Sequence, residues 1–191
     1  MIDKDWRNVE PLGEITCSSF DCENDLHCFR RQRPKEQSYR NGICISCGTD
    51  PVDWARLDKN DIRDAEYTVR SLKYELFRNY YWNIPIDEVA IKKAYKNGLE
   101  NLQVWAAKRI EKYVSLPSKD LFRDGIQTPL NGNVVYYAQH ATGCCCRKCM
   151  EEWHGINRNT ELTDKQIHYF SELITLYAKK RVPNLPQIIH K

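Results

Sequence analysis

Apolar side chains recur every three or four positions between residues 58 and 83, a spacing that places them on one face of an α-helix. The residues of this face are Ile62, Ala65, Val69, Leu72, Leu76 and Tyr80. Pro85 ends the pattern, because proline lacks an amide donor and disfavours a helical conformation in the residue before it. The sequence therefore predicts a helix that stops at Asn83.

The next segment predicts two further helices. The first covers residues 86 to 96, and the Asn97-Gly98 pair after it is typical of a helix C-terminal cap. The second covers residues 101 to 114 and ends before Pro117. We expect the large aromatic residues in this part of the chain to lie in the core: Trp54, Tyr80, Tyr81, Trp82 and Trp105.

The last third of the chain predicts one strand followed by two helices. Residues 133 to 139 contain four consecutive β-branched or aromatic residues, a composition that favours an extended strand. Residues 147 to 154 predict a short helix closed by Gly155. Residues 163 to 181 predict a longer helix, because Thr163 and Gln166 have the spacing of a capping box. The predicted fold class is mainly α, with a helical core and a short β strand or hairpin.

Turn-forming residues divide the chain into three regions. Residues 1 to 55 are rich in turns and poor in periodic apolar positions, so this region needs a staple such as a metal ion in order to fold. Residues 56 to 116 form the predicted helical core. Residues 117 to 191 contain a loop, the short strand, a second cysteine-rich segment and the C-terminal helix.

The composition is that of a globular protein, since 41% of the 191 residues are hydrophobic and 29% are charged. No apolar run approaches the roughly 18 residues of a membrane span, so we expect no membrane association. The charged amino terminus lacks the apolar segment of a secretory signal, and we expect a cytoplasmic protein.

The nine cysteines are the most informative part of the composition. Five lie between Cys17 and Cys47, four lie between Cys144 and Cys149, and none lies between these two clusters. An odd number cannot pair completely within one chain. In a chain without a secretory signal, such clustering favours metal ligation over disulfide bonds.

The first cluster contains a zinc-knuckle pattern, Cys44-x2-Cys47-Gly48. A structural zinc ion needs four ligands in a tetrahedral arrangement, so two more must come from the preceding residues. We favour Cys22 and Cys28, because the loop from Cys28 to the knuckle has a length that is normal for zinc-finger modules. Cys17 is the main rival. The complete set of candidates for the two positions is Cys17, Cys22, His27 and Cys28.

The second cluster contains another knuckle, Cys146-x2-Cys149, with His140 before it and His154 after it. These four residues suit zinc, which accepts both nitrogen and sulfur ligands. Cys145 is an alternative to Cys146, because it lies four residues before Cys149. An iron–sulfur cluster is the chemical rival, since this run alone offers several thiolates. We expect two zinc ions as cofactors, with an iron–sulfur cluster less favoured because adjacent cysteines diverge.

A catalytic zinc site would keep one coordination position for water. His140, Cys149 and His154 would then be the protein ligands, and Glu151 or Glu152 would be the general base. A zinc-dependent hydrolase, for example a nuclease, is therefore the alternative function, although both glutamates are equally typical of an exposed helix surface.

Residues 137 to 177 resemble an uncharacterised bacterial domain family of unknown function. The resemblance rests on a Gln-His-Ala-Thr stretch, a Cys-Cys-Arg-x-Cys knuckle and a Trp-His pair. The residues on the family pattern are His140, Cys145, Cys146, Arg147, Cys149, Trp153 and His154. Cys144 departs from the pattern, so the resemblance implies that it is not a ligand. The family implies a metal site and no particular activity.

The segment from residue 28 to residue 40 has a net positive charge, since it carries five basic residues and only Glu36 as an acidic one. The basic residues are Arg30, Arg31, Arg33, Lys35 and Arg40. With Phe29 and Tyr39 available for stacking, this stretch is compatible with contact to DNA or RNA, although the charge pattern by itself favours a solvated, metal-stapled loop. We therefore predict a zinc-binding module, without enzymatic activity, that binds nucleic acid or another protein.

Overall fold

The computed structural model describes residues 15–29, 42–122 and 124–187. Across these residues the chain forms seven α-helices and no sheet, which confirms the mainly α class. The helices are α1 (Trp54–Leu57), α2 (Ala65–Leu72), α3 (Leu76–Asn83), α4 (Glu88–Val114), α5 (Val134–Ala141), α6 (Arg147–His154) and α7 (Asp164–Arg181). None of these helices is both long and apolar enough to cross a membrane.

The main core lies where α7 packs along α4, with α5 and α3 against them. Small buried residues of α4 allow the helices to approach closely: Ala90, Ala94 and Ala106. Large apolar residues of α7 fill the space opposite, among them Phe170, Leu173, Ile174 and Tyr177. This core supports α5 and α6, which carry the second cysteine cluster.

The predicted helix over residues 58 to 83 is interrupted, because α2 ends at Leu72 and α3 begins at Leu76. Glu75 between them has an extended backbone and pairs with His27 of the amino-terminal segment. The His27 amide donates to the Tyr74 carbonyl at 2.6 Å, and the Leu76 amide donates to the His27 carbonyl at 3.1 Å. This tertiary contact breaks the helix, although the apolar periodicity continues through it.

The break predicted at Asn97-Gly98 is present as a kink inside α4, where Gly98 has φ 71° and ψ 171°. Such a backbone conformation strongly favours glycine. The two amides that follow the kink donate to carbonyl groups near the end of the described chain, Leu99 to Pro186 at 2.8 Å and Glu100 to Gln187 at 3.1 Å. The two predicted helices are therefore the two halves of α4.

The predicted strand over residues 133 to 139 is wrong, because these residues lie almost entirely in α5. Asn133 caps the helix, and its side-chain oxygen accepts a hydrogen bond from the Val135 amide at 3.0 Å. The β-branched and aromatic side chains of α5 are buried against α3, α4 and α7. A helix satisfies its backbone groups internally, whereas a lone strand in this position would bury unpaired ones.

The last two predicted helices are confirmed. Gly155 ends α6 in the left-handed conformation with φ 65°. Thr163 and Gln166 make both hydrogen bonds of the capping box at the start of α7.

Four of the five aromatic residues expected in the core are largely shielded from solvent. Tyr80, Tyr81 and Trp82 belong to the main core. Trp54 packs in a smaller cluster with Phe29 and Trp153, which joins the amino-terminal segment to α6. The prediction for Trp105 is wrong, because 38% of its surface is exposed on α4.

Candidate metal centres

Two groups of side chains in the described residues could hold a metal ion. The first ligand group consists of Cys22, His27, Cys44 and Cys47, and the second ligand group consists of Cys145, Cys146 and Cys149. Within each group the ligand atoms all lie within 4.8 Å of one another. All nine cysteines are free thiols, as metal ligation requires.

Two tight turns build the first ligand group. The knuckle turn is closed by a hydrogen bond from the Gly48 amide to the Cys44 carbonyl at 3.0 Å. The Ser46 amide also donates to the Cys44 sulfur at 3.4 Å. A short 3-10 turn, Cys22–Asn24, ends at Asp25 in the left-handed conformation and turns the chain back towards the knuckle. The Cys22 and Cys44 sulfurs are consequently 3.7 Å apart.

His27 is oriented for metal ligation by Asp25. Its Nε2 atom lies 2.9 Å from the Asp25 carboxylate, and its Nδ1 atom lies 3.5 Å from the Cys47 sulfur. A proton on Nε2 satisfies the carboxylate and directs the Nδ1 lone pair at the thiols. A histidine held by a carboxylate in this way is a common arrangement at zinc sites.

The thiols of the first ligand group differ in acidity. Burial raises the pKa of the Cys44 thiol, but backbone N–H groups of Cys47, Cys28 and Ser46 outweigh it and lower that pKa to about 6. Burial and the neighbouring Cys47 raise the pKa of Cys22 to about 11. Thiolates about 2.3 Å from a tetrahedral zinc ion lie about 3.8 Å apart, so the observed sulfur separation fits zinc.

The second ligand group lies at the junction of α5 and α6. Cys146 is the residue before α6, and Cys149 is in its first turn. The Gln139 side chain donates to the Cys144 carbonyl at 3.3 Å, and the Thr128 hydroxyl donates to the Cys145 carbonyl at 2.8 Å. These bonds fix the irregular backbone that holds the thiols, which are all buried.

A buried arginine lies against the second ligand group. One terminal nitrogen of Arg78 lies 3.0 Å from the Cys149 sulfur, and the other lies 3.8 Å from the Cys145 sulfur. The Arg78 Nε atom donates to Glu75 at 2.9 Å, and the Trp153 indole donates to the same carboxylate at 2.6 Å. Arg78 and Glu75 are 0% and 2% exposed, so this ion pair is wholly enclosed.

The charge of Arg78 favours ionised thiols in this enclosed site. Hydrogen bonds from Cys145, Cys146 and Cys17 lower the pKa of Cys149, as does the Arg78 charge, and together they outweigh burial. The thiolate charge in turn holds the pKa of Arg78 far above its ordinary value despite burial. A site with this character could hold a metal cation.

The structure separates Cys17 and Cys28 from the first ligand group, which takes His27 instead. The Cys28 side chain is fully buried, and its sulfur lies 3.4 Å from the Cys17 carbonyl oxygen. The Cys17 thiol lies beside Cys149 of the second ligand group.

His140 and His154 do not belong to the second ligand group. The His140 Nε2 atom lies 3.2 Å from the Pro129 carbonyl oxygen, and its ring stacks on Tyr81 at 4.6 Å. The His154 Nε2 atom lies 2.9 Å from the Thr142 carbonyl oxygen. Among the described residues, no single group brings His140, Cys149 and His154 together as the hydrolase hypothesis requires.

Three other residues from the second cluster have separate surroundings. Cys144 lies 3.3 Å from the Thr142 hydroxyl, and burial raises its pKa to about 12. Glu151 makes an ion pair with Arg158 at 2.8 Å. Burial, with the negative charges of Cys149 and Glu75, raises the pKa of Glu152 to about 7.

Sequence reasoning missed the charged residues around the two groups. Asp25, Glu75 and Arg78 carry no spacing signal that connects them with distant cysteines. Arg78 lies among apolar positions of α3, and a buried arginine in such a helix is the one sign of a hidden anionic partner.

These features define a mainly helical, cysteine-rich protein with two candidate metal sites, one in an amino-terminal segment and one in the helical core. The chain belongs to a family described as a domain of unknown function (DUF4186), whose sequence model matches residues 66–179. This match confirms the resemblance to an uncharacterised family. No solved structure matches the chain. The matched region contains the second ligand group, Glu75 and Arg78, whereas the first ligand group lies outside it.

Proposed function

We propose that the protein binds one zinc ion at each ligand group and that both ions have a structural role. The observation that carries this proposal is the first ligand group, in which three thiols and an imidazole nitrogen converge within 4.8 Å. Four protein ligands complete the tetrahedral coordination of zinc and leave no position for a reacting water molecule.

The surroundings of the two groups support a structural role. The first ligand group closes a segment that has only one short α-helix among its described residues, so the ion supplies stability that apolar packing does not. The second ligand group is buried under α3 and α6, where access for a substrate is small.

Elemental analysis of anaerobically purified protein tests this function directly. We expect two zinc ions per chain and no visible absorption. Cys44→Ser is expected to lose one ion, whereas Cys144→Ser, in a buried cysteine outside both groups, keeps two. A chain without bound metal would overturn the proposal, and iron with a broad visible band would assign an iron–sulfur cluster instead.

We propose DNA or RNA as the partner of this zinc-bound protein. Residues 30–41, which hold the basic stretch, lie outside the described residues, but both flanking ends are held at the first ligand group. The Ile45 amide donates to the Cys28 carbonyl at 2.9 Å, and the Trp54 indole donates to the Gly42 carbonyl at 2.8 Å. The described residues on either side of this stretch are therefore fixed in position. Phe29 cannot stack on a nucleic-acid base, because it is buried between Trp54 and Trp153.

Fluorescence anisotropy with labelled single- and double-stranded oligonucleotides, at several salt concentrations, tests this partner. Replacement of Arg30, Arg31 and Arg33 by glutamine should weaken binding and reduce the salt dependence by roughly one unit of log–log slope per lost phosphate contact. In the matched control, glutamine replaces Lys92, Lys93 and Lys96, which are exposed on α4. This variant should bind the oligonucleotides as tightly as the natural chain does. No binding at low salt would exclude nucleic acid and leave a protein partner.

A further inference from the structure

We propose that Cys17 is the fourth ligand of the second ligand group, which completes a four-cysteine metal site. This inference rests on the proposed zinc-binding function and adds a ligand from outside the family region. Neither the spacing of the second cluster nor the family resemblance indicates it.

The position of the Cys17 side chain carries the inference. Its thiol lies beside the Cys149 thiol, although the two residues are 132 positions apart in sequence, and it stands outside the set of three sulfurs that converge within 4.8 Å. It also lies close enough to Arg78 and Glu75 to interact with both charges. The side chain is half-buried and packs against the main core.

The backbone around Cys17 is held in place by a turn and by Cys28. The Ser19 amide donates to the Thr16 carbonyl at 3.0 Å, and the Thr16 amide donates to the Ser19 hydroxyl at 3.0 Å. The Cys28 thiol donates to the Cys17 carbonyl at 3.4 Å. Cys28 belongs to neither ligand group and directly follows His27 in the chain. Its hydrogen bond therefore links Cys17 to the segment that contains His27.

Hydrogen-bond donors for buried thiolates are present at this site. Zinc with three thiolates has a net charge of −1, and zinc with four has −2. Buried negative charge needs nearby donors, and Arg78 supplies two nitrogens that face the sulfurs of Cys149 and Cys145. The charge of this arginine also pairs with Glu75, so it stabilises the thiolates through these directed N–H groups and not through an excess of positive charge.

His140 is the rival for the fourth position. Its Nδ1 atom is buried and has no hydrogen-bond partner, whereas its Nε2 atom is engaged by the Pro129 carbonyl. The thiol of Cys17 lies beside Cys149, whereas the His140 imidazole interacts with Cys149 only through charge. Sulfur and nitrogen ligands give different visible spectra with cobalt, so the two residues can be distinguished by experiment.

If Cys17 is a ligand, the two metal ions hold opposite ends of the amino-terminal segment. The ion at the first ligand group holds Cys22 and His27 to the knuckle, and the ion at the second holds Cys17 to α6. The second ion then links a region outside the family match to the helical core inside it.

Cobalt(II) spectroscopy tests the ligand count. Cobalt chloride is added to metal-free protein that carries Cys22→Ser and Cys47→Ser, so that only the second ligand group binds. We expect a four-thiolate spectrum, and Cys17→Ser in this background should lower the thiolate-to-cobalt charge-transfer intensity from four thiolates to three. The matched control is Cys144→Ser, which removes a buried thiol outside both ligand groups and should leave the spectrum unchanged.

Alkylation of the natural chain gives a second measurement that needs no substitution. With zinc bound, Cys17 should be protected from N-ethylmaleimide to the same degree as Cys47, an exposed member of the first ligand group. Removal of zinc by a chelator should increase its reaction at least tenfold, as measured by peptide mass spectrometry.

The results separate this inference from the proposed function. A natural chain with two zinc ions, in which Cys17 reacts freely while Cys47 is protected, overturns the inference and keeps the function. A cobalt spectrum typical of three sulfur ligands and one nitrogen ligand, unchanged by Cys17→Ser, would also overturn the inference and keep the function. It would indicate His140 as the fourth ligand. A natural chain that binds no metal overturns both.

Discussion

Arg78 is the residue on which the second ligand group depends most, because it contacts Glu75 and the sulfurs of Cys149 and Cys145 at once. Arg78→Met removes this charge and leaves the buried Glu75 carboxylate and the thiolates without their cationic partner. We expect a loss of about 3–5 kcal/mol in the free energy of unfolding. Urea denaturation of the zinc-bound protein measures this loss.

The control for Arg78 is Arg63, which pairs with Asp61 at 3.0 Å on the surface. Arg63→Met should leave the urea midpoint almost unchanged, since exposed ion pairs contribute little to stability. Arg78→Lys should not restore the natural stability, because an ammonium group cannot reach both partners in the planar geometry of arginine. Equal midpoints for Arg78→Met and Arg63→Met would contradict the role given to Arg78.

His140 makes stability depend on pH below neutrality. Burial, helped by the charge of Arg78, lowers the pKa of His140 to about 4 from an ordinary 6.5. Between these values the unfolded chain takes up a proton that the folded chain refuses, so stability falls as the pH falls from 6.5 towards 4. The full difference is about 3 kcal/mol.

His140→Gln should remove this part of the acid sensitivity, because the glutamine amide donates to the Pro129 carbonyl without titrating. Urea denaturation at several pH values between 4.5 and 7 measures the slope. His168→Gln, at an exposed histidine of α7, is the matched control for the substitution itself. A loss of one zinc ion from His140→Gln would show instead that His140 is a metal ligand.

The residue types of both candidate sites follow from the sequence, but their grouping does not. The knuckle spacing correctly placed Cys44 with Cys47, because two residues of turn fix two sulfurs on one side. The partners of each knuckle depend on long-range folding. His27 is turned towards the thiols by Asp25, and Cys17 is carried to α6, so no local spacing could assign either residue.

At the scale of elements, the knuckle and α1 are joined by a close contact at Gly42. Gly42 has φ 71°, and a Cβ atom there would lie 2.5 Å from the Trp54 indole nitrogen. Gly42→Ala should therefore displace Trp54, which packs on Trp153 at 5.2 Å. We expect the free energy of unfolding to fall by about 1–3 kcal/mol, in addition to the cost of the strained backbone at this position.

Gly132 provides the control for this contact, because it has φ 84° and a Cβ atom there would meet nothing within 4 Å. Gly132→Ala should lower the free energy of unfolding only by the cost of the strained backbone conformation. Denaturation followed by tryptophan fluorescence compares the two variants, and similar costs would show that Trp54 does not press against Gly42.

α5 shows why local composition misled the prediction of a strand. Val134, Val135 and Tyr137 favour extended structure, yet each is buried by neighbouring helices that leave no strand for it to pair with among the described residues. The helix instead begins directly after Asn133, whose side chain caps it. The prediction of a strand did not take this cap into account. The capping box of α7 was recognised because its two residues are local in sequence.

The cap of α5 can be tested by Asn133→Ala, which removes the acceptor of the Val135 amide. We expect a loss of about 1 kcal/mol in the free energy of unfolding. Asn133→Asp preserves the acceptor and should cost much less. If the alanine and aspartate variants are equally stable, the side chain does not cap the helix.

In the whole molecule, the metal ions and the apolar core stabilise different parts. The described residues before α2 contain one four-residue α-helix, whereas α4 and α7 pack along each other through a continuous core. Removal of metal should therefore loosen the amino-terminal segment while the long helices persist.

Hydrogen exchange with mass spectrometry, before and after treatment with a chelator, measures this difference. We expect loss of protection in residues 15–29 and 42–57 and retained protection in α4 and α7. Simultaneous loss of protection in both parts would show that the metal ions hold the entire fold, and unchanged protection in residues 15–29 and 42–57 would show that packing alone is sufficient.

The aromatic contact of Trp153 has a consequence for how the family evolves. One side of its indole ring is covered by Phe29 and Trp54, which lie outside the matched residues 66–179. A fragment cut at the family boundaries would expose this large apolar surface and become prone to self-association. The boundary of the shared sequence therefore cuts through a packed aromatic cluster. Any relative that retains this tryptophan with a different leading segment must shelter the ring by other means.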